Sequence, residues 1–389
     1  MMKKIGCVIA YGGINFGTLL QDYATLAKIK EFGYECEVIR YKKHLSFFEK
    51  VKLIFRMIQI GDFSGKRREL NKKWHVWKNK DYAKSRNLRI KASKRFGKKY
   101  LEPFFVEYDG YEALCKGSHN YDLVLVGSDQ IWSPISLYGN YYNLMFVDEN
   151  IPKVSYASSF GVREIPDFQK SETKRYLDRL SMIGVREESG KAIVDSLSKN
   201  SATVVADPTM LLSADEWNAF IGDSSIKIDV PYIFCYYLGT NVDAREAVME
   251  WKRKTGLKIV AIKHGDEYFK YDELFGDISL NYVDPKDFLK LIKNAEYVCT
   301  DSFHCSVFSI LFHKKFMSFY RFRNQSKISR NTRIDNLLSL FNLQERLYKD
   351  DILQIEKDIN YAEVDNCISD YRVSSLNFLK KELELANKQ

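Results

Sequence analysis

No apolar run in this 389-residue chain approaches the ~18–20 residues that a membrane-spanning helix needs. The amino end, MMKKIGCVIAYGG, starts like a secretory leader, but its apolar stretch covers only residues 5–10 before glycines follow. A buried first strand is the better reading. Cysteine is sparse as well: seven residues, odd in number, scattered, with no C-x-x-C pair. That argues against a disulfide framework and for reduced, structural thiols in a cytoplasmic protein. The glycine loop GGINFG is neither G-x-G-x-x-G nor a Walker A loop, which argues against a nicotinamide cofactor or a kinase-type phosphate cradle. SYASSFG is not G-x-S-x-G, so no serine-hydrolase elbow is indicated. Internal repeats and low-complexity tracts are missing too.

What is present reads as globular. Apolar residues make up 45% and charged residues 29% of the chain, and 25 Tyr with 25 Phe leave bulk for two cores. The length also suits two domains. The formal charge is +9, unevenly spread. Residues 42–99 hold 20 Lys and Arg against 4 Asp and Glu, a local excess of +16, which leaves the remainder near −7. One basic segment is attached to a mildly acidic protein.

Along the chain, residues 3–10 read as a parallel strand. In YGGINFGTLLQDYATLAKIKEFGYECEVIRY, Gly12, Gly13 and Gly17 make a flexible loop. Leu19, Tyr23, Leu26 and Ile29 then recur at helical spacing, Gly33 suits the helix end, and ECEVIRY is a second strand. This β-loop-α-β unit opens a doubly wound half. The basic segment, about 42–100, interrupts it as a helical insertion. Strand–turn units resume at YDLVLVGSDQIW, KVSYASSFG, MIGVREESG and ATVVADPTML. A second half begins near Pro231 and alternates again: YIFCYYLG, a helix over 243–255, LKIVAIKHG, PKDFLKLIKNA, EYVCT, DSFHCSVFSILF and KFMSFYR. Helical spacing returns in the last forty residues. The division is therefore 1–225 and 226–389, both Rossmann-like, facing each other across a cleft lined by strand-end loops.

Of six histidines, one lies in CTDSFHC, where an apolar strand turns into a helix. Asp301 or Ser302 suits the N-cap, which puts His304 in the first helical turn, where free N–H groups favour an anion. A histidine there is placed to give a proton to an anionic substrate; the alternative is a satisfied residue that stabilises a loop. Cys299 and Cys305 flank it, but three ligands within seven residues and no partner pair elsewhere argue against zinc. Gly127, Ser128, Asp129 and Gln130 follow a strand, as a ligand-contacting turn or an ordinary polar one. Arg186 in GVREESG is either a fork for a carboxylate or phosphate, or the partner of Glu187. RFRNQSKISRNTRIDNLL carries Arg321, Arg323, Lys327, Arg330 and Arg333, as a solvated face or an anion-binding loop.

Six stretches in this order, YGGINFGTLLQDYATL, LVLVGSDQIWSP, KVSYASSFG, GVREESG, VADPTMLLSADEW and TDSFHCSVFSILFHKKF, resemble the polysaccharide pyruvyl transferases over roughly residues 5–340, with the basic insertion outside the match. The resemblance implies an α/β fold similar to the GT-B glycosyltransferases. It implies transfer of pyruvate from phosphoenolpyruvate to two sugar hydroxyls in a capsule, exopolysaccharide or cell-wall glycan precursor, giving a ketal. It implies His304 as general acid and Arg186 as a donor-binding residue. No cofactor is called for beyond phosphoenolpyruvate as donor, and no metal. Many relatives carry arginine where this chain has Ser302, while others share its DSFH form, and Arg333, Arg330 or Lys263 could take the place of that arginine. The candidate substrate-binding set comprises Asn15, Gly17, Gln21, Gly127, Ser128, Asp129, Gln130, Ser158, Ser159, Phe160, His264, Ser302, Arg330 and Arg333. A nucleotide-sugar glycosyltransferase and a non-catalytic glycan-binding relative are the rival readings. For partners, the sequence leads us to expect a glycan or lipid-linked sugar acceptor and peripheral contact with an anionic membrane through 42–99. With no DNA- or RNA-reading motif beside the charge, no nucleic acid is expected.

Overall fold

The structure, a computed structural model, describes residues 2–11, 13–60, 64–134, 139–222, 224–263, 267–321 and 332–388. Among these the strands form two parallel sheets. The first contains β1 (Lys4–Val8), β2 (Glu35–Lys42), β3 (Phe105–Asp109), β4 (Leu123–Val126), β5 (Lys153–Ser158), β6 (Met182–Val185) and β7 (Ala202–Val204), in the order β3-β2-β1-β4-β5-β6-β7. The second contains β8 (Tyr232–Tyr236), β9 (Lys258–Ile262), β10 (Ile278–Leu280), β11 (Tyr297–Thr300) and β12 (Lys315–Ser318), in the order β10-β9-β8-β11-β12. LVLV in β4 and YIFCY in β8 are buried at every position, the pattern of strands covered on both faces. Strand order reverses between β1 and β4, and again between β8 and β11. The loops leaving those strands therefore part and open a crevice in each half.

In the first half, α1 (Phe16–Glu31) begins where Asn15 Oδ1 accepts the Gly17 N–H at 2.9 Å. The basic segment forms α2 (Phe47–Ile60), α3 (Ser64–Lys78) and α4 (Lys80–Tyr100). Next come α5 (Tyr111–Gly117), α6 (Asp167–Leu177), α7 (Glu188–Leu197) and α8 (Ala214–Ile221). The second half carries α9 (Val242–Thr255), α10 (Pro285–Asn294), α11 (Phe303–Leu311) and α12 (Thr332–Leu340), and the chain ends in α13 (Tyr361–Glu384). Two edge strands escaped the sequence reading. β3 carries Glu107 and Asp109 and is nowhere fully buried, and β10 is three half-buried residues long.

The terminal helix differs from the assignment of 226–389 to the second half. Ser375 Oγ accepts the Ala206 N–H at 2.9 Å, and Arg372 Nε donates to the Met210 carbonyl at 2.7 Å. Ile368, Leu379 and Leu383 join a core that includes Val205, Ala206 and Met210. Apolar positions at helical spacing fix which face of α13 is buried, but they do not say against which domain.

The same core runs unbroken from one half to the other. Phe16, at the start of α1, stacks on Phe288 of α10 with centroids 4.8 Å apart and leans on Tyr236 of β8 at 5.7 Å. Arg89 of α4 closes over this seam. Its guanidinium lies 4.0 Å from the Phe16 ring centroid and donates to Tyr236 Oη at 2.8 Å and to the Ile14 carbonyl at 3.3 Å. Arg95 of the same helix pairs with Asp284, the N-cap of α10, at 2.7 Å. Thus the insertion holds the two halves together. Arg89→Ala should lower stability by about 2–4 kcal/mol, through a lost charged hydrogen bond and a desolvated cation–π contact. Urea unfolding measures it, and a loss under roughly 0.5 kcal/mol would mean the seam holds without α4.

Candidate functional site

Asp207 stands just beyond β7, its side chain without solvent exposure. Its Oδ1 accepts from the Thr209 N–H at 3.0 Å and the Thr209 hydroxyl at 2.7 Å. Its Oδ2 accepts from Arg186 Nη1 at 2.9 Å and from Gln21 Nε2, and lies 3.5 Å from His304 Nε2. Burial alone would raise the Asp207 pKa, but His304 first and Arg186 next outweigh it and hold the carboxyl well below the usual range. Asp207 is therefore favoured as a carboxylate and is shared by the first half (Gln21, Arg186) and the second (His304).

Arg186 follows β6 and is the most enclosed cation of the group. The sequence reading offered Glu187 as its structural partner; Asp207 is closer, with Glu187 at 3.7 Å and Asp129 at 3.8 Å. Burial opposes its charge, and Asp207, Glu187 and Asp129 together more than restore it. The Phe303 ring, at the first position of α11, lies 4.9 Å below the guanidinium. Half-buried Arg333 of α12 faces the same cavity, about 280 Å³ in volume, whose walls also include Leu337, Leu340 and Tyr371 of α13. Burial, then repulsion from Arg186 and Arg321, pushes the Arg333 pKa down to about 9. It is still charged at neutral pH, but with less negative charge around it than a buried cation needs. Among the described residues, Arg186 Nε and Nη2, Arg333 Nε, His304 Nε2 and Gln21 Oε1 are buried without a hydrogen bond. Native interiors rarely tolerate such a concentration of unmet polar atoms unless a ligand meets them.

His304 is buried at the second position of α11. Ser302 is the N-cap, and its side chain accepts from the Cys305 N–H at 3.5 Å. The ring presses on the first turn of α1 so closely that a Cβ at Gly17 would collide with His304 Nδ1. Glycine at 17 is a requirement of this contact between the halves.

The other candidates divide. Asn15 caps α1, and Gln21 bridges Ser128 Oγ, at 3.0 Å, to Asp207. Asp129 sits at φ 71°, a region that Asp tolerates better than most residues, and accepts from Thr18 Oγ1 at 2.9 Å and the Gln130 N–H at 2.8 Å. Gly127, at φ 138°, leaves no room for a Cβ against the Tyr156 carbonyl. Three residues depart from the expected substrate contact. Ser158 is fully buried and bonded to Ser155 Oγ at 2.9 Å. Ser159 donates to Glu187 Oε1 at 2.5 Å and so braces a site carboxylate from behind. Phe160 is fully buried against Trp132, 5.2 Å between centroids. The apolar–small run that suggested a ligand loop continues inward as core. His264 and Arg330 lie outside the described residues. Lys263 lines a separate cavity of about 560 Å³ with Ser85, Tyr268 and Glu273.

Sequence reasoning missed Asp207, Glu187, Thr18 and Phe303 as site residues, and also Asp22. Burial, with Asp129 adding repulsion, pushes the Asp22 carboxyl well above the ordinary range. The available signal was VADP, an aspartate at a strand end before proline, the edge at which parallel sheets build sites.

The family model "Polysaccharide pyruvyl transferase" matches residues 15–321. No curated protein matches the sequence. Among solved structures, the UDP-GlcNAc 2-epimerase from Neisseria meningitidis, bound to UDP-GlcNAc, superposes with TM-score 0.51 at 9% identity, over 99% of this chain and 94% of that one. The UDP-N-acetylglucosamine 2-epimerase of Listeria monocytogenes, described as such only provisionally, gives 0.49 at 12% identity, over 100% and 91%. At such identity the likeness to the Neisseria structure speaks for the fold alone: two Rossmann-like halves of the GT-B type.

Asp207→Asn keeps the shape but leaves Arg186 buried beside a neutral partner. It should cost about 3 kcal/mol in denaturant unfolding. A variant as stable as the parent would show that Glu187 and Asp129 suffice for Arg186.

Proposed function

The chain belongs to the polysaccharide pyruvyl transferase family, and from that premise we propose that it transfers pyruvate from phosphoenolpyruvate to two hydroxyls of a sugar in a capsule, exopolysaccharide or cell-wall glycan precursor. The observation that carries this reading is a cavity walled by Arg186, Arg333 and Asp207, with His304 Nε2 3.5 Å from that carboxylate, and an unmet donor or ring nitrogen on each of Arg186, Arg333 and His304. Phosphoenolpyruvate presents a carboxylate, a phosphate and an enol ether. Two guanidinium forks suit the anions, and one histidine suits the proton transfer.

The chemistry then assigns roles. His304 gives a proton to the methylene carbon of phosphoenolpyruvate, which becomes a methyl group and leaves positive charge at C2. A sugar hydroxyl adds to C2, and its proton restores His304. The bond from C2 to the phosphate oxygen breaks, a second hydroxyl adds, and its proton leaves with phosphate. Asp207, Asp129 and Glu187, the carboxylates that surround Arg186, are the groups available to stabilise positive charge developing at C2. The proton donor needs a fixed ring, and Asp207 together with the first turn of α1 holds it. Arg333 fills the role left open by Ser302, which is occupied as a helix cap. The reaction belongs in the cytoplasm, where phosphoenolpyruvate is made.

Phosphoenolpyruvate should raise the melting temperature, while UDP-sugars should not. Stabilisation by a UDP-sugar alone would return the protein to the glycosyltransferase reading, and stabilisation by neither would favour a non-catalytic one. In Arg333→Gln the shift given by phosphoenolpyruvate should shrink markedly; an undiminished shift would leave that anion contact to another cation.

His304→Gln should fold and lose roughly 10²–10⁴ in turnover. Gly17→Ala should lose about 10² by displacing the ring, against which its new methyl group would collide. Normal turnover in both would make His304 structural.

A further inference from the structure

The basic insertion has a second face that the domain seam does not use. In α2, Phe47, Phe48, Val51, Ile54, Phe55 and Ile58 fall within about one third of the helix circumference at 3.6 residues per turn. That stripe points outward: Phe47 is 74% exposed, Phe48 78% and Phe55 62%. Arg56, on the opposite side, faces the protein and pairs with Glu172 of α6 at 3.3 Å. An ordinary surface helix is oriented the other way, with its apolar side on the core. α3 repeats the arrangement. His75 stacks on Tyr268 of the second half at 4.0 Å, while Leu70, Trp74 and Trp77 are turned to solvent, Trp77 at 81%. Soluble proteins seldom leave such stripes uncovered.

The charge around the stripes selects what covers them. Lys50, Arg67, Lys73 and Lys78 are exposed on the same two helices, and Lys80 at the start of α4, in a segment whose excess is +16 while the rest of the chain is near −7. Lys78 Nζ lies 4.6 Å from the Trp74 ring centroid, so cation and aromatic are already side by side. Among the described residues no helix is long and apolar enough to cross a membrane, so these helices are suited to lie in an interface and not to span it. We infer that α2 and α3 form a docking face for an anionic lipid bilayer, with their aromatic stripes at the acyl boundary and their lysines and arginines against the lipid phosphates. The inference rests on this surface alone and stands apart from the pyruvyl-transfer reading.

Cosedimentation of the full chain with vesicles of phosphatidylcholine, or of phosphatidylcholine with phosphatidylglycerol, tests it. Binding should require the anionic lipid and weaken in roughly 1 M salt, where the screening length is about 3 Å. Phe55→Ser with Trp77→Ser should reduce the bound fraction about tenfold, and Lys50→Glu with Arg67→Glu should do the same, both with unchanged circular dichroism. Tryptophan emission should shift to the blue on the anionic vesicles and lose most of that shift in Trp77→Phe. Equal binding to both vesicles, or to neither, overturns the proposal. So does a dimer in sedimentation that Phe55→Ser dissolves, which would make the face a contact between copies. Tighter binding to an oligonucleotide than to anionic vesicles overturns it as well.

Discussion

The structure turns on one buried carboxylate. Asp207 accepts from a glutamine of α1, an arginine after β6 and the turn that follows it, and lies at ion-pair distance from a histidine of the other half. An isolated carboxylate without solvent exposure would be prohibitively costly in that place, and an isolated Arg186 equally so. Each is stable there because the other is. The arrangement draws on residues beside β6 and β7 and on α1 and α11, so the ion cluster sits where the two halves meet. A core of apolar side chains crosses the same seam and supplies the non-directional part of the attraction, while the charges fix its orientation.

That closure leaves a specific deficit. The carboxylates around Arg186 do not reach all of its donors, and at Arg333 burial with the neighbouring Arg186 and Arg321 outweighs the pull of Asp129 and Glu187. Phosphoenolpyruvate would bring two anionic groups to this place. On the proposed reading the protein holds its cations in position before an anionic donor binds, at a cost in stability. Glycine at 17 belongs to the same logic: the ring of His304 and the first turn of α1 occupy adjoining space, and any side chain at 17 would move that ring.

Much of this was legible in the sequence. Apolar runs of four or five residues ending in small or polar ones marked nine of the twelve described strands, together with β2, and a cap before a helix placed His304 in the first turn of α11. Its role came from the resemblance and not from spacing. Edge strands were harder, because β3 and β10 are only half buried and carry little periodicity. Asp207 was passed over because its importance lies in what reaches it from residues 21, 186 and 304, and no local pattern encodes those distances. Ser158, Ser159 and Phe160 misled for the converse reason: a strand-end run looks alike whether it opens to a ligand or turns inward, and here it braces Glu187 and fills the core. The basic segment was visible as charge, but the seam built by Arg89 and the outward turn of α2 depend on which side chains the rest of the fold can pair with.

The most direct test of the central claim is a crystal structure of the protein with phosphoenolpyruvate. The account predicts the donor at the junction of the halves, its anionic groups on Arg186 and Arg333 and its methylene carbon facing His304 Nε2. Phosphoenolpyruvate bound elsewhere, or at this junction with the methylene turned away from His304, would contradict it.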